Sequence, residues 1–436
     1  MGSPGQVCAR ALQEGRLGLI ARASRFAKTL GPGLLFASTA IGVSHLVQST
    51  RAGAEFGLLL IGAVIAANAL KYPFFEYGTR YANATGTSLI DGYARLGRRA
   101  LWLYIGITAS TMLFVTAAVG AVGAGFFSNL LGAGDTGPWG AAALFGACCA
   151  ILAVGRYRVL DSLIKVVAAV LVASTLAALA LAVANGPAVP AEGFVARDVL
   201  EPAGLLFLVA LMGWMPTAID LSAWNSLWTL ERMKQTRFRP RLREALLEFR
   251  LSYALTSGLA VAFVLLGALI LHGTGRGLPD GGAAFAGAVV SLYTETIGAW
   301  SEVVISAAAF SIMFGTVIAV FDGYSRALRR CAELALPGRR SLPYTAFLAA
   351  IAAGSLAVVV QFGGSLTGLV DFATSVSFLA APAIAIINYR LVTGSHLDGA
   401  ARPGAALRAL SVAGIAFLLA FSAVYVAIRA SQWPAA

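Results

Sequence analysis

From residue 31 to residue 429 the chain is a succession of apolar stretches of about 20 residues with short connections between them. That length is what a helix needs to cross a bilayer. In hydrocarbon every backbone N–H and C=O must find its partner within the protein, so such stretches fold as helices in a bundle, not as loops or open sheets. The stretches fall at 31–55, 57–79, 101–131, 138–155, 158–184, 204–228, 250–272, 299–325, 342–361, 366–389 and 406–429, eleven in all. Hydrophobic residues make up 58% of the chain and charged residues 12%, which leaves no room for a separate soluble domain. The expected organisation is a lead-in at 1–30 and one transmembrane domain over 31–436. The lead-in carries five basic residues and no continuous apolar run with a cleavage site. It reads as a cytoplasmic amphipathic segment and not as a secretory signal.

The formal net charge of +12 invites a nucleic-acid reading, but its distribution gives a topology instead. With the N-terminus inside, 26 of the 32 basic residues fall in inner segments, and only Arg51, Arg197, Arg276 and Arg429 fall outside. This is the positive-inside pattern, and eleven spans put the C-terminus outside. The expected surroundings are the lipid bilayer, with no nucleic acid and no cofactor. Four cysteines (Cys8, Cys148, Cys149, Cys331) have no metal-ligand spacing and form no disulfide framework. Cys148 and Cys149 read as small packing residues.

Two spans are interrupted at mid-depth. In the first, Gly42, Ser44, His45 and Gln48 stand where a bilayer helix is otherwise oily. In the sixth, Pro216 removes a backbone donor, so the helix breaks across Gly213–Thr217. Spans 1 and 6 are corresponding members of two five-helix halves, about 31–185 and 204–389, with an extra helix at about 406–429. Interrupted helices at matching positions point to an inverted-repeat transporter with its site at the midplane. Two ordinary kinked spans are the alternative. The candidate substrate contacts are Gly42, Ser44, His45, Met212, Trp214, Met215 and Thr217, with Gly42, Gly213 and Pro216 making the breaks.

Ionisable groups inside spans are functional candidates by default. Asp220, one turn past the second break, either holds a cation or proton or tethers its helix to a neighbour. His45 is the one histidine at mid-depth. It titrates in a coupling role, or it is a buried neutral ring bonded to carbonyls of the break. His45 and Met215 together offer one imidazole and one thioether, short of the three or four ligands a transition metal takes. Other charges read as structural: Asp161 with Lys165 and Asp322 with Arg326 are spaced four apart, as are Arg51 and Glu55. Lys71 and Glu76 flank Pro73 and are expected to snorkel inward. Trp224 and Trp228 read as an interfacial belt. Span 3 has no charge between Leu101 and Leu131, and its Gly120, Gly123 and Gly125 suit close helix approach.

At GPGLL (31–35), AGAEFG (52–57), YGTRYANATGTSL (77–89) and Met215-Pro216, the chain resembles the Nramp family of proton-coupled divalent metal transporters. The resemblance implies an all-α LeuT-type fold of 11 transmembrane helices, with a 5+5 inverted repeat plus one helix. It implies metal-ion transport by alternating access. The family's Asp-Pro-Gly-Asn in the first helix is here Gly42-Val43-Ser44-His45, and its Met-Pro-His in the sixth is Met215-Pro216-Thr217. The family's acidic residues in the third helix are absent. A dication needs anionic oxygen to offset its dehydration, so two cargoes stay open: a metal ion held by His45 and Met215, or a small organic solute. A coupling ion belongs to either. The alternatives from other classes are a non-transporting sensor docking partners on the basic surface, and a membrane-embedded hydrolase using Ser44 and a histidine. No G-x-S-x-G, H-E-x-x-H or paired-aspartate motif supports an enzyme.

Overall fold

The computed structural model describes residues 29–155, 157–338, 342–362 and 365–432, with side chains over the same ranges except 157–168. Most of the lead-in, Cys8, and the side chains of Asp161 and Lys165 lie outside the described residues. Every regular element among the described residues is helical. The first span is α1 (Pro32–Ala40), a π-helical turn (Ser44–Ser49) and α2 (Thr50–Phe56). Then come α3 (Ile61–Thr85), α4 (Leu89–Leu96), α5 (Arg98–Leu131), α6 (Gly137–Val154) and α7 (Tyr157–Asn185). The sixth span is also split, into α8 (Pro202–Gly213) and α9 (Leu221–Thr236). The rest are α10 (Leu242–Ile270), α11 (Gly282–Ile297), α12 (Glu302–Ala335), α13 (Tyr344–Gln361), α14 (Leu366–Thr393) and α15 (Ala405–Ser431).

Helix occupies each of the eleven predicted ranges, and among the described residues seven helices are long and apolar enough to cross a membrane. Two helices lie where no span is predicted. α4 is an eight-residue amphipathic turn opened by a capping box, in which Ser88 and Asp91 each bond the other's backbone N–H. α11 is apolar but only 16 residues long, below bilayer length.

The glycine-rich motifs are explained by close contacts. Gly31 and Gly33 donate their N–H groups to the buried Glu248 carboxylate of α10 at 3.1 and 2.9 Å, which satisfies the orphan donors at the start of α1. A Cβ on Gly33 would sit 2.7 Å from that carboxylate. In AGAEFG, Gly53 lies against the α10 backbone, where a Cβ would be 2.0 Å from the Val264 carbonyl. Gly267 returns the contact on Thr50. In YGTRYANATGTSL, Gly78 faces the Ser222 carbonyl of α9, and Asn83 Nδ2 donates to the Pro240 carbonyl at 3.0 Å. The glycines of α5 make the small-residue face expected of them: Gly120 sits under Phe145, Gly123 under Leu144 and Val317, and Gly125 on Gly282. Packing of α5 on α12 and α14, with α10 against α1 and α2, encloses both broken helices at the centre of the bundle.

Candidate functional site

The first break begins where α1 stops at Ala40. Gly42 folds back to donate to the Ala40 carbonyl at 2.8 Å, and the chain restarts as the π-helical turn. The carbonyls freed at the end of α1 are met from outside. Thr316 of α12 lies on Gly42, where a Cβ would meet its hydroxyl at 2.8 Å, and donates to the Ser38 carbonyl at 2.9 Å. The Ser44 hydroxyl has one hydrogen and three acceptors in reach: the Ala40 carbonyl at 2.5 Å, the Pro216 carbonyl at 3.0 Å and His45 Nδ1 at 2.8 Å. Ser44 thereby joins the first break to the second.

His45 is fully buried, and its Nε2 lies 2.8 Å from the Thr256 carbonyl. A carbonyl only accepts, so Nε2 carries the hydrogen, and in the neutral ring Nδ1 takes the Ser44 hydroxyl. Nε2 then has no lone pair to offer, while Nδ1 shares the single Ser44 hydrogen with two carbonyls. Met215 is fully buried, and its sulfur accepts from the Ser49 hydroxyl at 3.8 Å. Among the described residues no group of three His, Cys, Asp or Glu side chains is placed to hold a metal ion.

At the second break the chain leaves α8 at Gly213 and restarts at Leu221. Gly213 presses on the α14 backbone, where a Cβ would stand 2.3 Å from the Thr374 carbonyl. The carbonyls of Met212, Gly213 and Thr217 all accept from one donor, the Lys71 ammonium of α3, at 3.1, 2.9 and 3.0 Å. Lys71 is fully buried, which corrects the expectation that it snorkels. Glu76 is equally buried and pairs with Arg80 at 2.5 Å and Arg250 at 3.2 Å. Lys71 stands fourteen residues before Thr85, the inner end of its 25-residue helix, about 21 Å away. A lysine stem does not span that distance, and this was the signal in the sequence.

Asp220 accepts from the Tyr324 hydroxyl of α12 at 3.0 Å and lies within electrostatic reach of Lys71. Trp224 and Trp228 form no interfacial belt. Both are buried within the bundle, Trp224 against Tyr324 at 4.4 Å between centroids, and Trp228 donating to Asp322 at 3.0 Å. Asp322 also takes Arg326 at 2.7 Å and the Tyr344 hydroxyl at 2.8 Å, so the four-apart pair anchors three helices.

Between the breaks lies a small cavity of about 20 Å³, lined by Thr39, Val43, Ser44, Val115, Trp214, Thr217 and Thr316 among others. That is room for about one water. The buried indole N–H of Trp214 has no hydrogen-bond partner. Of the residues singled out in the sequence, Ser44, Trp214 and Thr217 share this cavity, while His45, Met215 and Asp220 are bonded to protein groups. Other buried side-chain atoms without a hydrogen-bond partner lie along α5, α9 and α12: the Thr116 hydroxyl, the Trp224 indole N–H, Asn225 Oδ1 and the Ser325 hydroxyl.

The two ends of the bundle differ. At one end, cavities of about 560 and 680 Å³ are lined by Arg232, Arg326, Arg329 and Arg330 with their acidic neighbours Glu231, Asp322 and Asp91. At the other, Arg51 reaches across to Asp371 of α14 with bonds of 2.7 and 3.2 Å. Gln48 Nε2 donates to the same carboxylate at 2.9 Å, and Glu55 joins Arg51 to Arg197. The Arg51 guanidinium also lies over the Phe207 ring at 4.9 Å. Arg51 thus makes the expected four-apart pair and a long-range one besides.

Solved structures share this fold. A manganese transporter of Eremococcus coleocola superposes with a TM-score of 0.69 at 14% identity, covering 95% of this chain and 90% of its own. Mhp1, a nucleobase-cation-symport-1 family transporter solved with bromovinylhydantoin bound, gives 0.55 at 14% identity over 93% of each chain. MhsT, solved with L-phenylalanine, gives 0.57 at 13% identity, over 89% of this chain and 98% of its own. Such identities speak for the fold alone, and the fold is the all-α LeuT type of multi-pass membrane proteins. No protein-family model matches the chain. The uncharacterized protein PM0681 of Pasteurella multocida (strain Pm70) is 34% identical over 411 residues, 93% of each chain. The chain belongs to the same family as PM0681.

Proposed function

We propose that this chain is a secondary transporter that moves a small organic solute by alternating access. The substrate contacts are Ser44, Trp214 and Thr217, between the breaks Gly42 and Gly213–Pro216. What supports this reading above all is the state of the lone pairs at the breaks. The carbonyls of Met212, Gly213 and Thr217 already accept from Lys71, and His45 Nε2 carries a hydrogen that it gives to the Thr256 carbonyl. A dication would have to displace the Lys71 ammonium from these carbonyls, and no carboxylate lines the cavity beside them. A solute with apolar surface and a hydrogen-bond acceptor suits Trp214, Val43 and Val115 instead. His45 and Asp220 are the groups proposed for coupling. The Arg51–Asp371–Gln48 cluster is the gate at one end, closed in this conformation. The arginine-lined cavities are the vestibule at the other, and the positive-inside pattern makes that end cytoplasmic, with the N-terminus there and the C-terminus outside. The repeats are 31–185 and 204–389.

A divalent cation is the second reading, favoured by the fold shared with a manganese transporter and by Met215 at the break. Thermal unfolding of the purified protein with manganese, magnesium and a panel of small organic solutes separates the two. Stabilisation by organic solutes only is the expected result. Stabilisation by a metal that disappears in His45→Ala or Met215→Ala overturns it. Uptake into proteoliposomes above the equilibrium level distinguishes a transporter from a sensor.

A further inference from the structure

The three carbonyls that converge on Lys71 belong to a non-helical turn, and backbone oxygens gathered in this way are how proteins hold cations in a membrane. The oxygens of Met212, Gly213 and Thr217 lie within 2.9 to 3.1 Å of one nitrogen. An ammonium has three hydrogens, so each finds one acceptor and none is left over. The C-terminal end of α8 points its dipole at the same place, which favours positive charge there. Asp220, itself bonded to Tyr324, supplies the countercharge from the far side of the break. Lys71 enters from α3, 141 residues before the first of its carbonyls, and is wholly buried.

We propose that the Lys71 ammonium is a tethered cation filling a cation site built by the second break. The break keeps its shape with no free ion bound to these carbonyls, and the site is closed to sodium, potassium and metal dications. A flexible stem holds the charge, so the site never empties into solution during a transport cycle. The proposal stands whichever cargo crosses, since the three oxygens already accept from Lys71, although Thr217 also lines the cavity with Ser44 and Trp214.

The test is chemical rescue. Lys71→Ala removes three carbons and the ammonium, the equivalent of propylammonium. The variant is expected to unfold at lower temperature than wild type, and saturating propylammonium is expected to raise its midpoint by about 2 °C or more. Neither 1-propanol nor tetramethylammonium, which lack the charge or the donors, restores it. Wild type and the space-filling Lys71→Met show no response to propylammonium. Hydrogen exchange of a peptide covering 210–221 rises in Lys71→Ala and falls again with propylammonium, a local readout that general destabilisation does not give. Rescue by propanol as strong as by propylammonium, or an equal response in wild type, overturns the proposal. If Lys71→Ala yields no folded protein, Lys71→Met and Lys71→Arg decide. A Lys71→Met midpoint equal to that of wild type, or above that of Lys71→Arg, also overturns it.

Discussion

Replacing Asp371 by Asn tests the gate with little change of shape. The Asp371 carboxylate receives two bonds from Arg51 and one from Gln48. Asn keeps an acceptor oxygen for one of these donors and removes the charge. The side chains are 10% exposed for Arg51 and 35% for Asp371, so the pair is neither a free surface pair nor a dry one. Bonds to charged groups contribute about 1.5–3 kcal/mol each, exposed ion pairs about 0.2–1. Arg51 retains Glu55 as a partner, which leaves a loss of about 1–2 kcal/mol for Asp371→Asn. If the pair forms only in the closed state, that loss moves the equilibrium toward opening by a factor of about 5–30. Thr374, fully buried one turn along α14 and in contact with Gln48, is the reporter. In a background with the native cysteines replaced by alanine, a Thr374→Cys probe reacts with a water-soluble thiol reagent only when this end opens. The expected result is labelling about 5–30 times faster in Asp371→Asn. Arg276→Gln is the control, because the Arg276–Glu295 pair is half exposed and its bonds do not involve the gate residues. A rate within twofold of the parent, or an equal increase in the control, refutes the gate.

Two further outcomes follow from the packing and the charges. Gly53→Ala forces a Cβ to 2.0 Å from the Val264 carbonyl and 2.6 Å from the Ala268 nitrogen. These are backbone atoms that cannot step aside, so α2 and α10 separate at a cost of about 1–3 kcal/mol. Gly62→Ala meets nothing within 4 Å and is neutral or stabilises by up to about 1 kcal/mol. Equal unfolding midpoints for the two variants would sink the close-packing argument. At Asp91, on α4, burial opposes the charge, but bonds from Arg330 and Ser88 outweigh it and hold the carboxyl below the ordinary range. A depressed carboxylate stabilises the fold above its unfolded pKa of about 3.9, and that stability is lost as pH falls through the lower folded value. Asp91→Asn therefore has a lower midpoint than the parent at pH 7, with the gap closing below about pH 4. A gap that is constant from pH 7 to pH 3 contradicts this account.

What the sequence made legible is what depends on neighbours along the chain. The apolar runs, the two breaks and the small face of α5 follow from local composition and helical period, and each appears where it is read. The Ser88–Asp91 capping box is equally local, and S-x-x-D at 88–91 marks the start of α4. The partners that define the site are of another kind. Lys71 caps a break 141 residues away, Glu248 caps α1 from 217, and Asp371 meets Arg51 from 320. No spacing rule relates such residues, because the pairing is fixed only when the bundle closes. Their existence is nonetheless demanded by physics: a broken helix in a membrane leaves carbonyls and N–H groups that something must satisfy. The useful question at each break is therefore which mid-span polar group elsewhere is too deep to reach water. For the freed carbonyls of α8 the answer is Lys71, half-way along α3. The N–H groups at the start of α1 find Glu248 instead, seventh in a 29-residue helix and just ahead of the apolar run at 250–272. The same count explains why His45 and Asp220 stayed ambiguous. Each had enough nearby donors or acceptors to serve as cargo ligand or as tether, and only the placement of Thr256 and Tyr324 tells which of their atoms are already engaged.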